Sequence, residues 1–185
     1  MKKINLPNKL TLLRIAMIPA FVALLYIPEL GSQIAAAVLF VLACVTDFLD
    51  GRIARKNNLV TNFGAFADPI ADKLLVMSAY VMLVSRQRMD AWICILVLAR
   101  EFTVSGFRLV ASVNGKVISA GKLGKIKTAL QMVSVVMYIL FIPADGGEEY
   151  FLTIPAHIVM YASVFFTVWS GADYIYRNRE LIRDM

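Results

Sequence analysis

Four stretches of the chain carry no charge: 15–28, 30–46, 128–144 and 150–172. The last is 23 residues long, enough for the roughly 20 that cross a hydrocarbon core, and the others reach that length with their flanks. Two more apolar stretches are interrupted by charge, one near Asp68 and Asp72 and one near Arg100, Glu101 and Arg108. Breaks fall at Gly31, the polar run 57–62, Asn114-Gly115 and the acidic run 145–149. The pattern predicts six helices, at about 8–28, 32–56, 64–86, 90–113, 122–143 and 152–178. No internal repeat, low-complexity segment or soluble linker divides them, so one membrane domain over 1–185 is expected.

Composition points the same way. The chain is 59% hydrophobic and only 17% charged, against about 45–50% apolar residues in ordinary globular chains, and its mean hydropathy is +0.70. A water-soluble protein of this composition would expose large apolar patches. Met1-Lys2-Lys3 and the residues after it resemble a secretory signal, but Lys9 and Arg14 interrupt the apolar region and no small-residue cleavage site follows. The start therefore reads as an uncleaved amphipathic segment leading into the first helix. Cys44 and Cys94 lie inside apolar segments without CxxC or CxxH spacing, so neither a disulfide framework nor a zinc site is expected.

Charge sets an orientation. Lys2, Lys3, Lys9, Arg52, Arg55, Lys56, Lys116, Lys122, Lys125, Lys127, Arg177, Arg179 and Arg183 fall at the start, after helices two and four, or at the end. The other side receives Arg86 and Arg88 with Glu29, Asp145, Glu148 and Glu149. By the positive-inside rule both termini are cytoplasmic, in a multi-pass protein of the inner membrane. The net charge of +6 then reports cytoplasmic loops and anionic lipid, and no nucleic-acid partner is expected.

The candidate chemistry sits at that cytoplasmic edge. Asp47, Asp50, Gly51 and Ala54 share one face of the second helix, and Asp68 and Asp72, four apart, share a face of the third. Joined by a short polar loop, the two helices can bring four carboxylates to one point. Like charges at a membrane edge are costly, and divalent cations relieve the repulsion. Carboxylate oxygens are the preferred ligands of Mg²⁺ and Mn²⁺, above all where substrate phosphates complete the shell. Gly51, Ala54 and Gly64 would let a bulky ligand approach the backbone. The plain alternative is a set of solvated helix ends paired with Arg52, Arg55 and Lys73.

The arrangement Asp47-x-x-Asp50-Gly51-x-x-Ala54-Arg55-x8-Gly64-x3-Asp68-x3-Asp72 resembles the complete signature of the CDP-alcohol phosphotransferases, with every defined position filled. The resemblance implies an all-α integral membrane enzyme of six transmembrane helices with a cytoplasmic site. It implies one or two Mg²⁺ or Mn²⁺ ions held by Asp47, Asp50, Asp68 and Asp72, and the role of general base for Asp72. It also implies CDP-lipid contacts from Gly51, Arg55 and Thr61, and from the segment holding Asn8, Thr11 and Arg14, with Ala54 giving the nucleotide room. A homodimer is implied as well. Asn5-Leu-Pro-Asn8-Lys-Leu-Thr11-Leu-Leu-Arg14, Ala99-Arg100-Glu101-Phe-Thr-Val-Ser-Gly-Phe-Arg108 and Gly121-Lys-Leu-Gly-Lys125-Ile-Lys127-Thr resemble the subgroup that transfers the phosphatidyl group of CDP-diacylglycerol to glycerol 3-phosphate.

The residues also support Asp72 as base on their own account: no histidine or suitable cysteine lies near the site, and Lys73 is protonated beside so many carboxylates. Arg108, helped by Lys125 or Lys122, is expected to bind the acceptor's phosphate, since guanidinium suits bidentate phosphate contacts. Arg100 is either a further phosphate ligand or the partner of Glu101, and the lysines of 122–127 are either ligands or anchors at the headgroups. His157, the only histidine, is expected to pack or sit at the interface far from the aspartates. Two other classes stand against an enzyme: a transporter, since intramembrane charges also line ion pathways, and an assembly protein whose charges pair between helices. Clustering of the carboxylates at one edge disfavours the first. Within the enzyme class, the alternative acceptors are phosphatidylglycerol, giving cardiolipin, and inositol phosphate.

Overall fold

The structure, a computed structural model, describes residues 6–56, 62–113, 121–143 and 151–179. It contains six helices, α1 (Leu6–Tyr26), α2 (Leu30–Lys56), α3 (Asn62–Ser85), α4 (Ala91–Val113), α5 (Lys122–Phe141) and α6 (Thr153–Arg177), and no strand among the described residues. Each boundary falls within two residues of its expected place. α1 stops at Tyr26, just ahead of Pro28, whose ring disfavours helical backbone in the residue before it.

Four helices are long and apolar enough to cross a membrane: Asn8–Tyr26, Leu30–Phe48, Leu123–Phe141 and Thr153–Arg177. α3 and α4 are equally long but each carries three charged residues, Asp68, Asp72 and Lys73 in one and Arg100, Glu101 and Arg108 in the other. Of the six transmembrane helices expected, four are thus long and apolar enough to span, and α3 and α4 have their three charges within the apolar stretch.

α1 packs on α2 and α3, α5 on α6 and α2, and α4 on α6 and α3. α2 turns Ala36, Ala37, Phe40 and Ala43 inward, where small side chains let helices approach closely, as in membrane bundles. Phe40 meets Phe21 of α1 with ring centroids 5.6 Å apart. The opposite face of α2 exposes Val38, Val41, Leu42 and Val45, which lipid accepts and water would not.

At the end away from the aspartates, α3 closes in a Schellman cap. Gln87 adopts a left-handed φ of 54°, Arg88 N–H donates to Leu83 O at 2.9 Å and Gln87 N–H to Val84 O at 3.0 Å. The reversal turns the Arg88 side chain into the interior, where it donates to Gln33 Oε1 at 2.7 Å and Ile139 O at 3.0 Å. Gln33 in turn donates to Ile27 O at 2.6 Å. The ends of α1, α2, α3 and α5 are tied together there.

Candidate active site

A cavity of about 650 Å³ opens at the other end, among α1 to α5. Asp47 of α2 and Asp68 and Asp72 of α3 line one wall, and Arg100, Glu101 and Arg108 of α4 with Lys127 of α5 line the facing one. Between them the floor is apolar, with Ala43, Leu75 and Val97. Asp68 and Asp72 lie one turn apart on α3, and Asp47 of α2 lines the same cavity.

Arg14 joins the two acidic helices. Its side chain is fully buried, and its Nη1 lies 2.8 Å from Asp47 Oδ1 and 2.6 Å from Asp72 Oδ1. Thr11, one turn earlier on α1 and equally buried, donates to Asp68 Oδ1 at 2.6 Å. Asn8 is also buried. Thr11 and Arg14, expected near the CDP-lipid, bond to the carboxylates, and Arg14 also lines the cavity, so they fix the orientation of Asp47, Asp68 and Asp72.

Carboxylates from two helices converge on one guanidinium nitrogen, so this donor set already gathers around positive charge. Carboxylate oxygens are also the ligand type that hard divalent cations take. No group of three or more metal-binding side chains is assembled among the described residues. The side chains of Asp50, Gly51, Ala54 and Arg55, in the last turns of α2, lie outside the described residues, as do Thr61 and the side chain of Lys122. Gly64 is buried near the start of α3, on the helix that carries Asp68 and Asp72.

The facing wall is cationic. Glu101 accepts from Arg100 at 3.2 Å and also pairs with Lys127, which is buried. Arg100 reaches on to Ser170 Oγ of α6 at 3.0 Å. It passes over Gly171, where an added Cβ would lie 3.0 Å from its Cγ. The Arg100–Glu101 pair of the sequence reading is present, and Lys127 joins it. Arg108 is exposed, its guanidinium 5.7 Å from the centroid of the Tyr174 ring. Lys125 is exposed and does not line the cavity, whereas Gly124, Lys127 and Thr128 do.

Sequence reasoning overlooked two contacts. Of the two roles open to Lys127, ligand or headgroup anchor, neither includes the pair it makes: α5 buries it against Glu101. The plain alternative pairs Lys73 with the aspartates, but its Nζ donates to Ser105 Oγ of α4 at 2.5 Å. Position on the helix was the available signal, since Lys73 lies about 100° around the axis from Asp72. His157 lies at the far end, its Nδ1 2.8 Å from Thr153 O and its ring between Tyr138 and Tyr161. Cys44 and Cys94 are free thiols.

Comparison with known proteins agrees with this geometry. The family described as CDP-alcohol phosphatidyltransferase matches residues 4–169. A CDP-diacylglycerol–glycerol-3-phosphate 3-phosphatidyltransferase of Bacillus subtilis (strain 168) is 43% identical, over 97% of each chain. One of the same name from Rickettsia typhi is 44% identical over 92% of this chain and 94% of its own. A probable phosphatidylglycerophosphate synthase of Mycobacterium tuberculosis is 39% identical over 94% of this chain and 81% of its own. With its aspartates, helices and cavity in place, this chain belongs to the CDP-alcohol phosphatidyltransferase family.

Proposed function

We propose that the protein transfers the phosphatidyl group of CDP-diacylglycerol to glycerol 3-phosphate, giving phosphatidylglycerophosphate and CMP in phospholipid synthesis. The observation that carries this reading is the cavity itself, with a carboxylate wall on α2 and α3 facing a cationic wall on α4 and α5. A diphosphate bound through metal suits the first wall and a phosphorylated acceptor suits the second. Relatives 42–44% identical over most of the chain carry the name of that activity.

The family generally uses divalent metals, and Asp47, Asp50, Asp68 and Asp72 are the side chains that would hold one or two Mg²⁺ or Mn²⁺ ions. Bound there, such ions neutralise phosphate oxygens and the charge that gathers on a departing CMP. Thr11 and Arg14 hold the carboxylates in place. Gly51, Ala54, Arg55, Thr61 and Gly64 belong to the CDP-lipid side, together with Asn8, Thr11 and Arg14. Asp72 accepts the proton of the acceptor hydroxyl as its oxygen bonds to the β-phosphorus. The bond from that phosphorus to the CMP oxygen breaks, and CMP leaves with the electron pair. No enzyme-bound intermediate forms.

Arg108 is the acceptor's phosphate ligand in this scheme, with Arg100, Lys122 and Lys125 as further candidates. Six membrane crossings in a single domain, cytoplasmic termini, a cytoplasmic site in the inner membrane and a homodimer complete the proposal. The lipid tails need not leave the bilayer for a site at its edge.

The test is an acceptor panel. Purified protein in CDP-diacylglycerol micelles is offered glycerol 3-phosphate, inositol phosphate, serine and phosphatidylglycerol. Glycerol 3-phosphate is expected to be the best acceptor, with turnover lost in EDTA and restored by Mg²⁺ or Mn²⁺. A better acceptor elsewhere in the panel replaces the subgroup assignment, and full turnover in EDTA removes the metal from the scheme.

A further inference from the structure

Most charges in the cavity are matched by opposite charges. Arg14 takes Asp47 and Asp72, and Arg100 and Lys127 take Glu101. Lys73 is different. Its neighbour in sequence is Asp72, yet among the described residues it makes no ion pair, and its Nζ is bonded to a neutral hydroxyl, Ser105 Oγ, at 2.5 Å. Ser105 cannot turn away readily, because its own hydroxyl donates to Glu101 O at 2.7 Å and so presents a lone pair to the ammonium.

This arrangement holds a cation extended across the seam between α3 and α4. An ammonium has three donors. Ser105 engages one of them, and Lys73 lines the cavity. Holding a charge at a membrane edge without a counter-ion is costly, so the site is built for an anion that comes and goes. Arg108 lies three residues beyond Ser105, on the same face of α4, and it too lacks a carboxylate partner among the described residues.

We infer that Lys73 is a substrate-binding residue that, together with Arg108, clamps the phosphate of the acceptor. The inference rests on the acceptor assignment above and adds the residue that makes the site select a phosphorylated alcohol. The donor's diphosphate belongs with the aspartates, and Lys73 leans away from them toward α4. The acceptor must instead span the site, with its hydroxyl at Asp72 and its phosphate one glycerol backbone away. Lys73 starts next to Asp72 and ends at α4, so it bridges those two positions. Charge-assisted hydrogen bonds to a phosphate dianion are the strong kind.

Steady-state kinetics of Lys73→Met, Lys73→Arg and Ser105→Ala in CDP-diacylglycerol micelles test this, with each substrate varied in turn and thermal midpoints recorded. Lys73→Met is expected to raise the KM for glycerol 3-phosphate about 10- to 100-fold. The KM for CDP-diacylglycerol should stay within about 2-fold. Lys73→Arg should recover most of the loss, and Ser105→Ala should show a smaller rise for the same substrate. Equal rises for both substrates, or a fall in kcat with the glycerol 3-phosphate KM unchanged, overturn the inference. Should Lys73→Met not fold, Lys73→Gln is read in the same way, and if neither folds the lysine is structural and the inference falls. Wild-type protein that does not use glycerol 3-phosphate sinks the acceptor reading itself. Wild-type protein that does, beside an indifferent Lys73→Met, sinks only the lysine.

Discussion

Two buried arginines occupy opposite ends of this bundle, and they do different things. Arg14 meets carboxylates of α2 and α3 at the wall of a large cavity. Arg88 meets a side-chain amide oxygen and a carbonyl near the C-terminus of α5, where the helix dipole favours positive charge. Burial of charge is therefore not by itself a mark of function in this protein. Its surroundings decide: Arg88 ties helix ends together, whereas Arg14 holds together two acids that would otherwise repel, beside a space a ligand can fill.

The sharpest test of the contrast lies in the cavity. Asp72→Asn keeps the size and one oxygen but cannot take the acceptor's proton, so turnover should fall by about 10²–10⁴. Metal-dependent binding of CDP-diacylglycerol should remain, as a filter-binding or fluorescence titration would show. Near-normal turnover takes Asp72 out of the base role.

Next in size come the arginines themselves. Arg14→Met should cost about 2–4 kcal/mol in EDTA, less than the 3–5 kcal/mol of a fully buried broken pair. The discount arises because Asp47 and Asp72 are 31% and 43% exposed. Mn²⁺ should return much of that loss by taking over the neutralisation of the carboxylates. Arg88→Met should cost about 1–3 kcal/mol through the acceptors it leaves unmade, with no response to Mn²⁺ and unchanged turnover per folded molecule. Chemical denaturation in detergent, with and without metal, measures both. An equal metal response at the two ends erases the distinction.

The smallest effect is expected at the exposed pair of α6. Arg177 Nε lies 2.7 Å from Asp173 Oδ1, but the arginine is 72% exposed, so Arg177→Ala should shift stability by no more than about 0.5 kcal/mol. A larger loss means that this helix end is less solvated than its exposure implies.

Much of this could be read from the chain. Four uncharged runs, two apolar stretches interrupted by charge and the breaks between them placed six helices to within two residues, because a helix that faces lipid must be apolar around most of its surface and ends where polar residues, Gly or Pro begin. The i, i+3 and i+4 spacing placed Asp68 with Asp72, since local geometry follows from 3.6 residues per turn. Other features depend on which helices become neighbours. That Arg14 and Thr11 bond to the carboxylates follows from α1 lying against both α2 and α3, and the separations of 57 and 58 residues involved carry no periodic signal. Lys127 looked like a ligand or an anchor until α5 turned it toward Glu101, 26 residues away. Lys73 looked like an ion-pair partner of the aspartates until α4 offered Ser105. Sequence determined which residues are charged, which helices carry them and which share a face. Only tertiary packing decided which charges neutralise one another, because an ion pair between helices depends on contacts that no local pattern records.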